Sequence, residues 1–318
     1  MELFKKQTNF DFLGKRNLAF ALSGILLLIS IVSLSTRGLN FGLDFTGGTL
    51  IELGYPQAVD LIEVRKTLED AGFKDTVVQH FGTAQDVLVR IAPKEEISSA
   101  DLSNEVIKVL KNEGSEESID VRRVEFVGPQ VGEELTEDGG LAVLYALICI
   151  FIYVFFRFEW RFAIGSVAAL FHDVLITLGV FSVLQLDFDL TVLAACLAVI
   201  GYSLNDTIVV FDRIRENFRK MRKGTTVDIM NTSLNQTLSR TLMTSFTTLL
   251  VLLALILLGG ELIRGFAAAL IVGIVVGTYS SIYVASTSAL MLGVSKADLI
   301  PVKKEGAEGE DQTEIETP

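Results

Sequence analysis

The stretch LTVLAACLAVIGYSLNDTIVV, residues Leu190–Val210, decides the fold of this chain. It is apolar apart from a few hydroxyl and amide groups, and its one charged residue is Asp206. A run of about 20 such residues is long enough to cross the hydrocarbon core of a bilayer as a helix. A charge inside that core costs at least about 2.5–3.5 kcal/mol, so a carboxylate found there usually has a function. The stretch therefore predicts a membrane-spanning helix that carries a functional carboxylate.

Five further apolar runs extend this prediction to the whole chain. Half of the 318 residues are hydrophobic, and the mean hydropathy is +0.48. One run is short, and another is interrupted by His172 and Asp173. We predict a polytopic α-helical membrane protein with a six-helix bundle. The five other spans are Asn17–Ser35, Leu141–Phe156, Phe162–Leu184, Thr241–Leu258 and Gly265–Leu292.

The positive charges predict the orientation of the spans. Lysines and arginines cluster before the first span, between the second and third spans, and in residues 213–223 after the fourth. Such clusters mark cytoplasmic flanks, so both termini are predicted to lie inside. The predicted boundaries are a cytoplasmic N-terminus at 1–16, helix one at 17–36, an external domain at 37–138, helices two to six within 139–292 with a cytoplasmic loop at 213–235, and an acidic cytoplasmic tail at 293–318.

The segment between the first two spans is predicted to be a small folded domain. Its turn residues and hydrophobic periodicity give the order β-α-β-β-α-β, which is the ferredoxin-like split unit. Ser98 or Ser99 is the expected N-cap of the second helix, with Gly114 after its end. Acidic residues predominate here and in the tail, within a net charge of −12, which argues against nucleic acid as a partner. The predicted elements are strands at Leu50–Tyr55, Thr76–Phe81, Val87–Ala92 and Ile119–Val127, and helices at Asp60–Ala71 and Ser98–Glu113.

Charged residues inside the spans are the candidate functional site. Asp206 and Arg240 are expected to meet at similar depth if spans four and five are neighbours. Two interpretations stay open, a titrating carboxylate on a proton path and a permanent structural ion pair. Asp173 is a third candidate, whereas His172 is expected to point to a different helix face, so the two need not cooperate. Four polar side chains near Asp206 are candidate hydrogen-bond partners: Tyr202, Ser203, Asn205 and Thr207.

Small residues indicate close packing at two further places. A small residue recurs at every fourth position of the last span, which lets other helices approach closely. A glycine-rich turn follows span one, and we expect it to join that span to the external domain. No metal-ligand spacing, phosphate loop or nucleophile is evident, so neither a cofactor nor an enzyme is predicted. The packing row includes Gly265, Ala269, Gly273, Gly277 and Ser281, and the turn contains Gly42, Asp44, Gly47 and Gly48.

Several motifs together resemble one family. They are GLDFTGG at Gly42–Gly48, FEWRFA at Phe158–Ala163, the pair His172 and Asp173, IGYSLNDTIVVFDRIREN at Ile200–Asn217, and LNQTLSRT at Leu234–Thr241. The chain resembles the SecF proteins, the smaller subunits of the SecD–SecF protein-export complexes. The resemblance implies an RND-type six-helix domain in the bacterial inner membrane, with the external domain in the periplasm. It also implies a proton pathway through Asp206 and Arg240.

The same resemblance implies partners and a role. The implied partners are SecD, the SecYEG channel, YajC, YidC, exported preproteins and the lipid bilayer. The implied role is completion of preprotein export with the proton motive force. Two alternatives stay open at this stage. One is an RND-like half-transporter for a small molecule or lipid, and the other is a non-conducting scaffold that stabilises partner subunits.

Overall fold

The structure is a computed structural model that describes residues 8–73, 76–93, 99–113, 119–221 and 223–295. Three predictions lie wholly or mainly outside these residues. They are the Ser98 cap, the helix-ending Gly114, and most of the acidic tail at 293–318.

The described chain consists of long helices and one compact α/β unit, which lies between the first two long helices. A 3₁₀ turn at Leu13–Lys15 precedes the first long helix. The last helix is divided by a π-helical turn at Ser281–Ala285. In chain order the other elements are α1 (Arg16–Thr36), β1 (Asn40–Phe41), α2 (Leu43–Thr46), β2 (Gly48–Gly54), α3 (Leu61–Asp70), β3 (Thr76–Phe81), β4 (Thr83–Ile91), α4 (Ser99–Glu113), β5 (Asp120–Val127), α5 (Pro129–Arg157), α6 (Trp160–Leu184), β6 (Asp187–Phe188), α7 (Leu190–Lys220), α8 (Thr226–Leu258), α9 (Glu261–Ser280) and α10 (Ser286–Met291).

Six helical segments are long and apolar enough to span a membrane, as predicted. They are α1, α5, α6, α7, α8 and the segment Leu262–Met291, which runs from α9 to α10. Helices α6 and α7 are half buried within the protein, whereas α1, α5 and α8 present mostly exposed apolar faces. The chain is therefore a multi-pass membrane protein, with α6 and α7 nearest the centre of the bundle.

Several helices extend well beyond their apolar runs. Helix α5 begins at Pro129, nine residues before the predicted end of the external domain at 138. Helix α7 continues to Lys220, and α8 begins at Thr226 after the N-cap Thr225, whose hydroxyl accepts from the backbone N–H of Asp228 in a capping box. Most of the predicted loop at 213–235 is therefore helical. Hydropathy detects only the part of a helix that lies in hydrocarbon, and these polar extensions fall outside it.

The α/β domain between the first two spans has the predicted ferredoxin-like architecture. Its sheet order is β3-β4-β2-β5, with all neighbours antiparallel. Asp60 caps α3 by accepting from the backbone N–H of Ile62 at 2.9 Å. Gly72 follows α3 with a φ of +93°, the left-handed conformation expected of a residue after a helix end. Ile51, Leu53, Val87 and Val89 are fully buried in the core under the two helices.

The glycine-rich turn forms the joint between this domain and the membrane helices. Gly42 precedes the short helix α2, and Asp44 Oδ2 accepts from the backbone N–H of Leu190, the first residue of α7, at 3.0 Å. A Cβ on Gly47 would lie 2.9 Å from Pro129 Cα, and one on Gly48 would lie 2.3 Å from the Ile91 carbonyl oxygen. Beside this joint, β1 pairs in parallel with β6. The turn therefore meets the beginnings of both α5 and α7.

The row of small residues in the last span contacts two neighbouring helices. A Cβ on Gly273 would lie 2.1 Å from Val199 Cγ2, and one on Gly277 would lie 3.0 Å from Ser203 Cβ, both on α7. A Cβ on Gly265 would lie 3.0 Å from Val192 of the same helix. Further along, Gly165 of α6 lies against the backbone of Ala285 in the π-helical turn. Ala269 and Ser281 are fully buried.

Candidate functional site

Asp206 is a buried carboxylate with an unsatisfied oxygen. It lies on α7 and is 3% exposed, and its Oδ2 has no hydrogen-bond partner. The hydroxyls of Thr207 and Thr241 are likewise buried without a partner. Buried polar groups in proteins are nearly always hydrogen-bonded, so such a group calls for an explanation. A carboxylate in this setting is suited to taking up and releasing a proton.

Arg240 lies on α8 at a similar depth. Asp206 and Arg240 each lie fourteen residues from the end of their helix nearest the α7–α8 connection, or about 21 Å along the axis. Hydrogen bonds link the two helices on both sides of this level. Tyr202 meets Thr248 at 3.4 Å, and Arg213 Nε donates to Gln236 at 2.6 Å. Helices α7 and α8 are therefore antiparallel neighbours, as the pairing of the two residues requires.

The two charges interact without touching. The charge of the Arg240 guanidinium acts on the Asp206 carboxylate, but no ion pair or hydrogen bond joins these two described side chains. Arg240 is exposed on the surface of the isolated chain, whereas Asp206 is buried. The geometry therefore gives an electrostatic influence across a gap rather than a closed bridge.

The four polar side chains predicted to surround Asp206 have other surroundings. Ser203 donates to Asp173 at 2.5 Å, and Tyr202 is the residue that meets Thr248. Asn205 is exposed, and Thr207 is buried with a free hydroxyl. Within the described residues, none of the four makes a hydrogen bond to Asp206.

Asp173 is the centre of the best-satisfied buried polar cluster in the membrane domain. The residue is fully buried on α6, and its Oδ2 accepts from Ser203 at 2.5 Å and from Ser280 at 2.7 Å. Its Oδ1 lies 2.9 Å from His172 Nδ1. The absence of a side chain at Gly277 leaves room for Ser203 in this cluster, since a Cβ there would lie 3.0 Å from Ser203 Cβ and 3.2 Å from its Oγ. Residues of α6, α7 and α9 thus converge on one carboxylate.

His172 is part of this cluster, contrary to the sequence-based expectation. Its Nε2 lies 3.0 Å from Ser23 Oγ of α1, and Ser23 Oγ lies 3.0 Å from the hydroxyl of Tyr279. Adjacent residues do leave a helix in different directions, but here the imidazole turns back to meet the neighbouring carboxylate. The available signal was the placement of a histidine and an aspartate side by side in the middle of an apolar run.

Comparison with known proteins agrees with the class that this architecture defines, a six-helix membrane protein with a small α/β domain between its first two spans. Residues 106–295 match the family described as "Protein export membrane protein SecD/SecF, C-terminal", and residues 32–59 match the "SecD/SecF GG Motif". The second match contains Gly47 and Gly48. This chain belongs to the SecD/SecF family of protein-export membrane proteins.

Curated relatives match nearly the whole chain. The protein translocase subunit SecF of Vibrio alginolyticus is 57% identical over 309 residues, covering 96% of this chain and 98% of the relative. SecF of Escherichia coli O157:H7 is 49% identical, covering 96% of this chain and 94% of the relative. The resemblance to SecF proteins is therefore confirmed over nearly the full length.

Solved structures of larger proteins contain the same fold. One is SecDF of Thermus thermophilus, described as a translocon-associated membrane protein, which is 40% identical with a TM-score of 0.83. A second, SecDF in a super-membrane-facing form, is also 40% identical, with a TM-score of 0.68. In both cases the match covers 91% of this chain but 39% of the solved chain. This chain thus spans well under half the length of the SecDF chains that it matches.

Proposed function

We propose that this chain is a SecF-type auxiliary subunit of the protein translocase, which works with SecD to complete preprotein export with the proton motive force. Asp206 and Arg240, with Asp173, form its proton pathway. The names of the full-length relatives support the translocase assignment. The chain catalyses no covalent reaction in this role. Its proposed location is the bacterial inner membrane, with both termini in the cytoplasm and the α/β domain in the periplasm.

The single observation that carries the proton-linked role is the unsatisfied, buried carboxylate of Asp206 beside a separated arginine. A permanent ion pair would satisfy the carboxylate, and such a brace is what the scaffold alternative requires. The unpartnered oxygen instead matches a group that binds a proton in one state and faces the Arg240 charge in another.

A partner is expected on the exposed face of α7 and α8 that bears Asn205 and Arg240. Asn205 and Arg240 are exposed there within the spans, together with the small residues Ala198 and Gly201. Polar groups within a bilayer normally face protein or water rather than lipid, and small residues allow another helix to approach closely. A SecD helix on this face would cover them. SecYEG, YajC, YidC and the preprotein are proposed further contacts of the assembled translocase.

The alternative of a half-transporter for a small molecule or lipid has less support. The relatives named above are translocase subunits or translocon-associated proteins. Co-purification of this chain with SecD, and dependence of export on both, would separate this alternative from the proposal.

The test is an export assay in inverted membrane vesicles that contain SecD and this chain. We expect Asp206→Asn to abolish the stimulation of export by the proton motive force, because the amide cannot exchange a proton. The matched control is Asp212→Asn, since Asp212 is an exposed aspartate on the same helix that pairs with Arg157 at 3.4 Å. Full stimulation in the Asp206→Asn vesicles would overturn the proposal.

A further inference from the structure

The hydrogen-bond directions around His172 determine where its hydrogens lie. The Tyr279 hydroxyl lies 2.7 Å from the backbone carbonyl oxygen of Ala19, to which only it can donate. Its single hydrogen is therefore used there. The contact between Ser23 and Tyr279 must then be donated by Ser23. This uses the only hydrogen of Ser23, so the 3.0 Å contact to His172 must be donated by His172 Nε2.

The other ring nitrogen meets the carboxyl group of Asp173. His172 Nδ1 lies 2.9 Å from Asp173 Oδ1, the ordinary length of an N–H···O hydrogen bond. The Ser203 contact to Asp173 Oδ2 is 2.5 Å, in the range of hydroxyl bonds to an ionised oxygen. This short contact favours an ionised Asp173 over a protonated one that donates to a bare Nδ1. An ionised carboxylate only accepts, so both nitrogens of His172 then carry hydrogen.

We propose that His172 is a proton-binding residue of the membrane domain, which forms with Asp173 a buried imidazolium–carboxylate pair that ties α1 to α6 and α7. The pair has no net charge, which suits a site where His172 is 3% exposed and Asp173 is fully buried. Its ligand is one proton. The role of the pair in export rests on the proposed proton-linked function, whereas the proposed proton on His172 is argued from the hydrogen-bond distances around it.

The surroundings contain few other groups that can titrate. Helix α1 has no charged residue after Arg16 at its start. Helix α9 contributes Tyr279, and α7 carries Asp206 three residues beyond Ser203. The ring of Tyr283, in the π-helical turn, lies tilted against the ring of Tyr279, with 5.3 Å between the ring centroids. Asp206 is thus the nearest other carboxylate along α7, about 4.5 Å further along the helix axis.

Loss of the proton would change how α1 is held. With one ring hydrogen, His172 can donate to Ser23 or to Asp173 but not to both. Either the bond to α1 is lost, or the buried carboxylate loses a donor. The proton therefore acts as a removable link between α1, which leads to the external domain, and the helices around Asp173.

The direct test is nitrogen magnetic resonance on the full chain, labelled with ¹⁵N in the histidine rings and reconstituted with SecD in lipid. The chain has two histidines, so a His80→Gln background leaves His172 as the one labelled ring. At pH 7.5 we expect both ring nitrogens to carry hydrogen. A bare ring nitrogen in this spectrum would overturn the inference.

Two variants sharpen the test. Asp173→Asn keeps the shape of the side chain but removes its negative charge, so we expect Nδ1 of His172 to become bare while Nε2 still donates to Ser23.

Ser23→Ala removes the acceptor on α1, and we expect about a tenfold loss of stimulated export because one charge-assisted bond is lost. The control is Ser166→Ala, which removes a buried hydroxyl on α6 that bonds only to carbonyls of its own helix. Equal export by Ser23→Ala and Ser166→Ala would overturn the linking role.

The outcomes separate this inference from the proposed function. If Asp206→Asn abolishes the stimulation of export by the proton motive force but His172 has a bare ring nitrogen, the proposed His172–Asp173 ion pair fails. The proposed proton-driven function then stands. If His172 is doubly protonated but Asp206→Asn has no effect, the pair stands as a structural link and the proton-driven role fails.

Discussion

At the residue scale, the glycine-rich joint depends on a missing side chain, and the two buried aspartates differ in their hydrogen bonds. Gly48 has a φ of +119° and lies against the Ile91 carbonyl, so both its conformation and its lack of a side chain are required. Asp173 has three hydrogen-bond partners, whereas Asp206, on the adjacent helix, has an unpartnered oxygen. The two carboxylates therefore have different chemistry, although both are buried aspartates in apolar helices.

Gly48→Ala tests how tightly the joint is built. We expect it to lower stability by more than the approximately 1–3 kcal/mol that a positive φ costs a residue with a side chain, because the new methyl group also meets backbone. The comparison is Gly72→Ala, which has a φ of +93° but nothing within 4 Å. Thermal unfolding in detergent measures both. If the two variants lost the same stability, the structure would be relieving the contact between the new methyl group and the Ile91 carbonyl at no cost in free energy.

At the element scale, close contact between α7 and α9 aligns the polar clusters. Gly273 lies against Val199, and one turn further Gly277 leaves room for Ser203. The π-helical turn then begins directly after Ser280, which donates to Asp173. Turns of this kind often occur at functional sites. The small residues of the last span therefore set the distance at which hydroxyl donors reach the carboxylate.

Gly273→Ala is expected to force α9 away from α7. The new methyl group would lie 2.1 Å from Val199 Cγ2, and overpacking of this kind costs about 1–3 kcal/mol. The double variant Gly273→Ala with Val199→Ala should recover most of that loss, as measured by thermal unfolding. Gly201→Ala is the control, since nothing lies within 4 Å of its added carbon. If the double variant were no more stable than Gly273→Ala alone, the close contact between Gly273 and Val199 would be contradicted.

At the scale of the whole molecule, the N-terminal segment is fastened to a distant helix. Asn235 Oδ1 accepts from the backbone N–H of Phe10, and Asn231 Nδ2 donates to Asp11 Oδ1 at 2.7 Å. Gly14 donates to the same oxygen at 2.8 Å. The two bonds to Asn231 and Asn235 hold the segment before α1 against α8. They connect residues more than two hundred positions apart in the chain.

This attachment predicts a pH dependence. The hydrogen bond from Asn231, and next that from Gly14, hold the pKa of Asp11 below its ordinary value. Because the pKa is lower in the folded state, the stabilisation is present above about pH 4 and is lost as the pH falls through the folded-state pKa. The difference in Tm between the wild-type chain and Asp11→Asn should therefore narrow from about pH 6 to about pH 3. A difference in Tm that stayed constant over this pH range would contradict the assignment of the stabilisation to ionised Asp11.

Much of this architecture follows from the sequence, because long apolar runs and regular periodicity are local signals. They predicted the six spans, the order of the α/β domain, the left-handed Gly72, and the shared depth of Asp206 and Arg240. Side-chain contacts between distant segments were not predicted. The partner of Ser203 depends on how α6 and α7 are rotated, and the His172 contact depends on a side-chain rotamer. The β1–β6 pair is too short to leave a pattern.

Helix α7 is held at three heights by three different structures, and this has a mechanical consequence. Its first residue bonds to Asp44 in the glycine-rich joint, its middle carries Ser203 and Asp206, and Asn217 near its other end bonds to Ser233 of α8. A rigid rod of 31 residues is about 46 Å long. A tilt of about 5° around one end would move the other end by about 4 Å. Asp206 lies fourteen residues from the Lys220 end, so the same tilt around that end would move Asp206 by about 2 Å. A displacement at the carboxylate would thus be about doubled at the end of α7 that joins the α/β domain.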